Sequence, residues 1–268
     1  MEIDVSKLSP MMQQYWKVKD HYREHILFFR VGDFYEMFFD DALIASKCLE
    51  LTLTGKDCGM EERAPMCGIP YHACDTYIKR LVEQGKKVAV CEQLTDPKLS
   101  KDIVVRDVIK VVTPGTLTDS SMLDDSSNNY IGAVYVKDRE NCSVCFTDIS
   151  TGAVNLFTKE GKDAETELIN ELSRYSPAEV LFNGEFLSYK AASEFIREKL
   201  HASVELLDDD KFDVNLQEEA VLKQFSADSY SDLGLIKEEI NTNAVAALFY
   251  YVSETQKALI GRFTDIKI

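Results

Sequence analysis

The chain has 268 residues, 45% of them hydrophobic, with a formal net charge of −16. That length can bury a sizeable core and favours two domains over one; no run approaches the roughly 18 apolar residues of a membrane helix, and the start "MEIDVSKLSP" has no signal-peptide core. Seven cysteines, an odd number in a chain without an export signal, read as reduced cytosolic thiols.

Along the chain, "SPMMQQYWKVKDHY" predicts a helix with Ser9 as N-cap and Pro10 at its first position. "ILFFRV" (26–31) predicts a short strand stopped by Gly32-Asp33. "DDALIASKCLEL" predicts a helix capped by Asp40 or Asp41, and "DTYIKRLVEQG" another, with Asp75 as cap and Gly85 as stop. "KKVAVCEQ" and "VVRDVIKVVT" predict strands. "TPGTLTDSSMLDDSSNNY" (113–130), rich in Pro, Gly, Ser, Asp and Asn, has the composition of a linker.

Beyond it, "YIGAVYVK", "CSVCFTDIS" and "AVNLFT" predict three strands spaced for antiparallel hairpins. A helix over about 163–175, a strand "AEVLF", a helix over about 188–200, a strand "SVELL" and a further helix follow. This order predicts a mixed α/β sandwich of ribonuclease-H-like type. "NTNAVAALFYYVSETQKALIGRF" predicts the beginning of a long helix that the chain does not finish. The expected division is a first α/β domain over 1–115, a linker over 116–129, a ribonuclease-H-like domain over 130–241 and the start of a helical domain over 242–268. Charge follows that division, with a net of −2 over 1–115 and −14 over 116–268. The acidic part suits protein partners, so any nucleic-acid surface is expected in the first part, as a local basic stripe.

"FFRVGDFYEMFFDDA" (28–42) sets Glu36 among six aromatics. In an extended segment residues i and i+2 share a face, so Phe34 and Glu36 project together and Tyr35 faces the core. On a helix they would lie about 200° apart. An exposed phenyl ring can replace a lost stacking partner in a nucleic acid, a contact worth roughly 1–3 kcal/mol. The acid beside it accepts hydrogen bonds when ionised and donates one only when protonated, a form that the phosphate field of DNA favours. A competing reading is a plain aromatic core with a solvated glutamate, the commoner fate of such a cluster.

"GDFYEMF" with "DDA" behind it, "PMCGIPYHA" (65–73), "CEQ" (91–93) and "VTPGT" (112–116) together resemble the amino-terminal signature of the MutS family of bacterial DNA mismatch repair proteins, as does the opening "SPMMQQY". The likeness is sharpest over the first 116 residues and continues, in element order and in "DISTG" (148–152), over essentially the whole chain. It implies a mixed α/β mismatch-recognition domain followed by a ribonuclease-H-like connector domain and the start of a core or lever helical domain. It also implies that Phe34 stacks on a mispaired or unpaired base from the minor groove while Glu36 hydrogen-bonds that base. Pro65 and Met66 fall in the block that approaches the minor groove in the family. Arg106 and Lys110, four apart on a strand and so roughly 13 Å apart on one face, suit two phosphates of one backbone.

The resemblance further implies duplex DNA with mismatches or small loops as ligand, a MutL-type repair partner docking on the connector, a homodimer in the full-length protein, and a cytoplasmic, nucleoid-associated location. There is no G-x-x-x-x-G-K-[ST] phosphate loop in the sequence. The chain is therefore expected to be a non-enzymatic amino-terminal part without cofactor, the ATPase activity with its ATP and magnesium belonging to a later domain. Cys142 and Cys145 have C-x-x-C spacing, but residues three apart on a strand face opposite sides, so they read as structural. Cys58, Cys67, His72 and Cys74 lack a regular zinc spacing. Two alternatives stand beside mismatch reading: a pure interaction module, and a two-metal nuclease, for which Asp148 has no evident carboxylate partner.

Overall fold

The computed structural model describes residues 4–95, 103–117, 128–257 and 263–268. The chain divides into two compact units, Met1–Thr113 and Pro114–Ile268. The linker expected over 116–129 lies, for residues 118–127, outside the described residues.

In the first unit six strands form one sheet: β1 (Ile26–Val31), β2 (Phe34–Phe38), β3 (Thr54–Lys56), β4 (Ala64–Pro70), β5 (Val88–Gln93) and β6 (Arg106–Val112). Their order is β3-β4-β2-β1-β5-β6, and β1 with β5 is the parallel pair. Helix α1 (Pro10–His21) covers one face, packing Met12 and Tyr15 against Leu27, Phe29, Phe38, Ala89 and Cys91. Helices α2 (Phe39–Leu49) and α3 (Cys74–Glu83) cover the other, where Cys67 Sγ reaches the Ala42 carbonyl. With both faces covered, the apolar run of β1 is buried without alternation over its first four residues.

Helix α1 starts as expected, with Ser9 at the cap and Pro10 next. Helix α2 does not: Phe38 takes the cap position, and Phe39 enters with φ +52, a left-handed backbone rarely adopted by a bulky residue. Asp41 is drawn inward instead. Its carboxylate accepts from Lys19 Nζ (2.8 Å), the Tyr15 hydroxyl (3.2 Å) and the Leu27 amide (3.0 Å), tying α1, β1 and α2 together. Burial pushes the Asp41 carboxyl up, against the pull of Lys19.

The second unit holds a five-stranded sheet of β7 (Tyr130–Asp138), β8 (Asn141–Asp148), β9 (Ala153–Glu160), β10 (Glu179–Phe182) and β11 (Ser203–Leu206), in the order β11-β10-β7-β8-β9. The first three are antiparallel neighbours, and β10 runs parallel to both β7 and β11. This is the 3-2-1-4-5 arrangement expected of a ribonuclease-H-like sheet. Helices α4 (Ala164–Tyr175) and α5 (Lys190–Phe195) pack on one face, while α6 (Glu218–Phe225) and α7 (Ile240–Thr255) pack on the other. Cys142 belongs to the first of these cores and Cys145 to the second, so the two thiols face opposite sides of β8.

The tail differs from expectation. Rather than opening another domain over 242–268, α7 lies in this unit with eleven of its residues buried, apolar on nearly all sides because sheet and α6 surround it. It ends at Thr255, and the chain returns to bridge Lys267 to Asn155. Gly115 of the "VTPGT" block explains itself sterically, since a Cβ there would stand 2.4 Å from Ile131 Cγ1. Its amide donates to the buried Glu179 carboxylate (3.3 Å), which also accepts from the Tyr251 hydroxyl (2.8 Å). Among the described residues no helix is long and apolar enough to cross a membrane.

Two outcomes follow for the first unit, which contains Trp16, the chain's single tryptophan and so a local reporter. Asp41→Ala removes the acceptor shared by Lys19, the buried Tyr15 hydroxyl and the Leu27 amide and should lower stability by about 3 kcal/mol in urea unfolding followed by Trp16 fluorescence. Burial also pushes the Cys67 thiol from 9.0 up to about 11. The fold therefore holds that proton more tightly than the unfolded chain, a contribution complete below pH 9 and lost as pH rises through about 11. The fall in the Trp16-detected urea midpoint over that window should be shallower in Cys67→Ala than in the unmutated protein.

Candidate nucleic-acid interface

Strands β1 and β2 are joined by the two-residue turn Gly32-Asp33, which closes the pair Val31–Phe34. Gly32 has φ +58, a value that a glycine adopts at no steric cost at the first central position of such a turn. The turn sets the register: Phe29 lies opposite Glu36, and on the other side of β2 Glu36 faces Gly68, with Phe34 opposite Pro70 and Phe38 opposite Met66. Strand alternation then puts Phe34, Glu36 and Phe38 on the α1 face and Tyr35 and Met37 on the other. Exposure grades along that face, from Phe34 at 48% through a half-buried Glu36 to a fully buried Phe38. The Phe34 ring stands at the hairpin tip.

The far face of the hairpin is braced. The Tyr35 hydroxyl donates to the Glu92 carboxylate, which also receives Arg30 Nη1 at 3.3 Å. Arg30 lies 3.7 Å over the centre of the Tyr71 ring, and its Nε donates to the Gly32 carbonyl at 2.5 Å. Burial, then the bond to Glu92, pushes the Tyr35 hydroxyl far up, so it stays a donor. Glu92 belongs to the "CEQ" block, whose part here is structural.

Glu36 is not free. Its Oε2 is bonded by the Lys56 ammonium, which comes from the edge strand β3. Opposite it, Gly68 lies close to β2: a Cβ there would stand 3.3 Å from the Tyr35 carbonyl oxygen and in ordinary contact with Glu36 Cγ at 3.6 Å. Nothing in the local sequence singles out Lys56. Only the pairing of β3 with β4, across the loop 57–63, carries it to Glu36.

Of the remaining candidates, some join this face and some do not. Met66 lies opposite Phe38 and Thr54, on the Phe34 side. Pro65, its neighbour on a strand, points to the opposite face. Arg106 reaches the Phe34 side, 5.1 Å over the Phe29 ring, but its guanidinium donates inward to Arg30 O (2.6 Å), Gln14 Oε1 (2.9 Å) and Val104 O (3.0 Å). Burial lowers its pKa and the field of nearby Glu36 opposes that. Lys110 departs altogether. A bulge skips Ile109, pairing Val108 with Cys91 and Lys110 with Val90, and Val108 and Val111 share one core although three apart. Arg106 and Lys110 therefore lie on opposite faces, and their expected placement on one face does not hold. Among the described residues no group of three or more His, Cys, Asp or Glu could hold a metal ion.

Residues 9–121 match the family model of MutS domain I, and residues 129–266 that of MutS domain II. Similar proteins include the DNA mismatch repair protein MutS of Lachnoclostridium phytofermentans, 43% identical over 98% of this chain and 28% of its own length. Those of Clostridium perfringens and Clostridium tetani are 45% and 46% identical, over 98% and 97% of this chain and 28% of each relative. The chain thus spans less than a third of the relatives it matches.

The exposed ring and the constrained turn should separate in stability measurements. Phe34→Ala removes a half-exposed side chain and should change the Trp16-detected stability by no more than about 0.5 kcal/mol. Gly32→Val forces a branched residue to positive φ and should cost about 1–2 kcal/mol in the same assay.

Proposed function

The chain belongs to the MutS family, through its domains I and II, and we propose that it reads mispaired and unpaired bases in duplex DNA by insertion of Phe34 at a deformable step. The observation that carries this reading is the half-exposed Phe34 ring at a hairpin tip with Glu36 behind it on the same face. Insertion costs unstacking and a kink, and a mispair has already lost part of its stacking and pairing energy. A well-paired step meets the full penalty, so discrimination comes from duplex deformability more than from a base code. Glu36 would hydrogen-bond the displaced base, with Met66 alongside on the groove-facing surface. Arg106 has the weaker claim to a phosphate, because its donors are already engaged, and Pro65 and Lys110 lie on the wrong face for this role.

In the full-length protein we assign ATP hydrolysis with magnesium to a later domain, action to a homodimer, and location to the cytoplasm at the nucleoid. The second unit is proposed as the connector, docking a MutL-type partner. Its net charge of −14 over 116–268 and the exposed Val204 and Leu206 on the edge strand β11 favour a protein-facing surface.

The test is equilibrium binding of the full-length protein to fluorescent G·T, one-base-loop and fully paired duplexes. The unmutated protein should prefer the first two. Phe34→Ala should abolish the preference, a loss of about fivefold or more given roughly 1–3 kcal/mol per stacked base, and Glu36→Ala should weaken or alter it. Equal affinities of the unmutated protein for all three duplexes would leave only the interaction reading.

A further inference from the structure

The carboxylate assigned to the displaced base already has a partner. Lys56 Nζ bonds Glu36 Oε2 in a pair that is only partly open to water, with 27% of the lysine side chain and 14% of the glutamate side chain exposed. Arg106, a further cation in the field of Glu36, is turned to three oxygens of its own. Lys56 stands on the three-residue edge strand β3, opposite Ala64, and faces the same side of the sheet as Glu36 and Phe34.

A base that offers an N–H to Glu36 must therefore displace an ammonium. We propose that Lys56 is a positioning residue that sets the threshold of mismatch reading: it competes with the base for the Glu36 carboxylate. The inference rests on the mismatch-reading function stated above. In a fully paired duplex the base edges are largely satisfied by their own partners, so Glu36 stays on Lys56, and the neutral pair meets the phosphates without repulsion. At a mispair or an extra base an unsatisfied donor is present and can win the carboxylate. Removal of the ammonium lifts the competition on the mismatched side. On the paired side it leaves a bare carboxylate facing phosphates. Both effects raise the preference for the mismatch.

The experiment is a double-mutant cycle in the full-length protein, read as the ratio of affinities for a one-base-loop and a fully paired duplex. Lys56→Met keeps the stem and removes the charge, and it should raise the ratio about threefold to fivefold, the upper range of a partly screened ion pair. In the Glu36→Gln background the same substitution should move the ratio by less than about twofold. Equal changes in the two backgrounds, as expected of a lysine that only holds β3 or only touches phosphate, would overturn the proposal, and so would a fall in the ratio. A second readout is the ¹³C resonance of dimethylated Lys56, assigned with Lys56→Arg. It should shift in free protein on Glu36→Gln and again on adding the one-base-loop duplex, but not the paired one. A resonance indifferent to Glu36→Gln defeats the threshold alone, leaving mismatch reading standing. An unmutated protein with no preference, in which Phe34→Ala also changes nothing, defeats mismatch reading and the threshold with it.

Discussion

One constraint governs the site: a two-residue turn can join β1 to β2 in a single register, and that register decides what β2 presents. With Gly32 at positive φ the pair Val31–Phe34 closes the hairpin, and every second side chain from Phe34 onward falls on the α1 face. A slip of one residue would send Tyr35 to the tip and bury the phenyl ring, since the side-chain period of a strand is two. The rest of the first unit reinforces that choice. Tyr35, Glu92, Arg30 and Tyr71 interlock on one side of the hairpin, and Phe38 anchors the other in the core against Tyr15. The strand is thus rigid at its buried end and bare at its tip.

The same grading of exposure divides the chemistry. Phe34, in water, loses little fold energy by leaving solvent for a base stack, whereas Glu36, one step inward, carries a counter-ion because a half-buried carboxylate without one is costly. That pair stands directly behind the exposed ring, on the same face of the sheet. The second unit obeys a different constraint, with a sheet covered on both faces, so that β8 is buried along nearly its whole length and its cysteines serve two separate cores.

The tip of the hairpin was legible in the sequence because it rests on local rules: a glycine-aspartate stop, period-two alternation and an apolar run before it. The order of strands in the second unit was legible for the same reason, from alternation and spacing. What escaped depended on contacts between distant segments. Lys56 reaches Glu36 only through the pairing of β3 with β4, strands too short or too interrupted by Pro65, Gly68 and Pro70 to announce themselves. Lys110 was placed by assuming an unbroken strand, and the bulge beside it reversed its side. Asp41, expected with Asp40 as the alternative cap, was claimed by the Lys19 ammonium, the Tyr15 hydroxyl and the Leu27 amide. The last helix looked like the start of something longer because it is apolar all round, which is also how a helix reads when sheet and neighbour enclose it.

If the Phe34 ring leaves water for a loosened base stack, the ring itself can report it. Replacing Phe34 with 4-fluorophenylalanine in the full-length protein and recording ¹⁹F spectra asks the question directly. Insertion should give a ring-current shift of that signal on adding a one-base-loop duplex, with a solvent-like position retained in fully paired DNA. A signal that stays solvent-like with both duplexes, while the protein is bound, would contradict it.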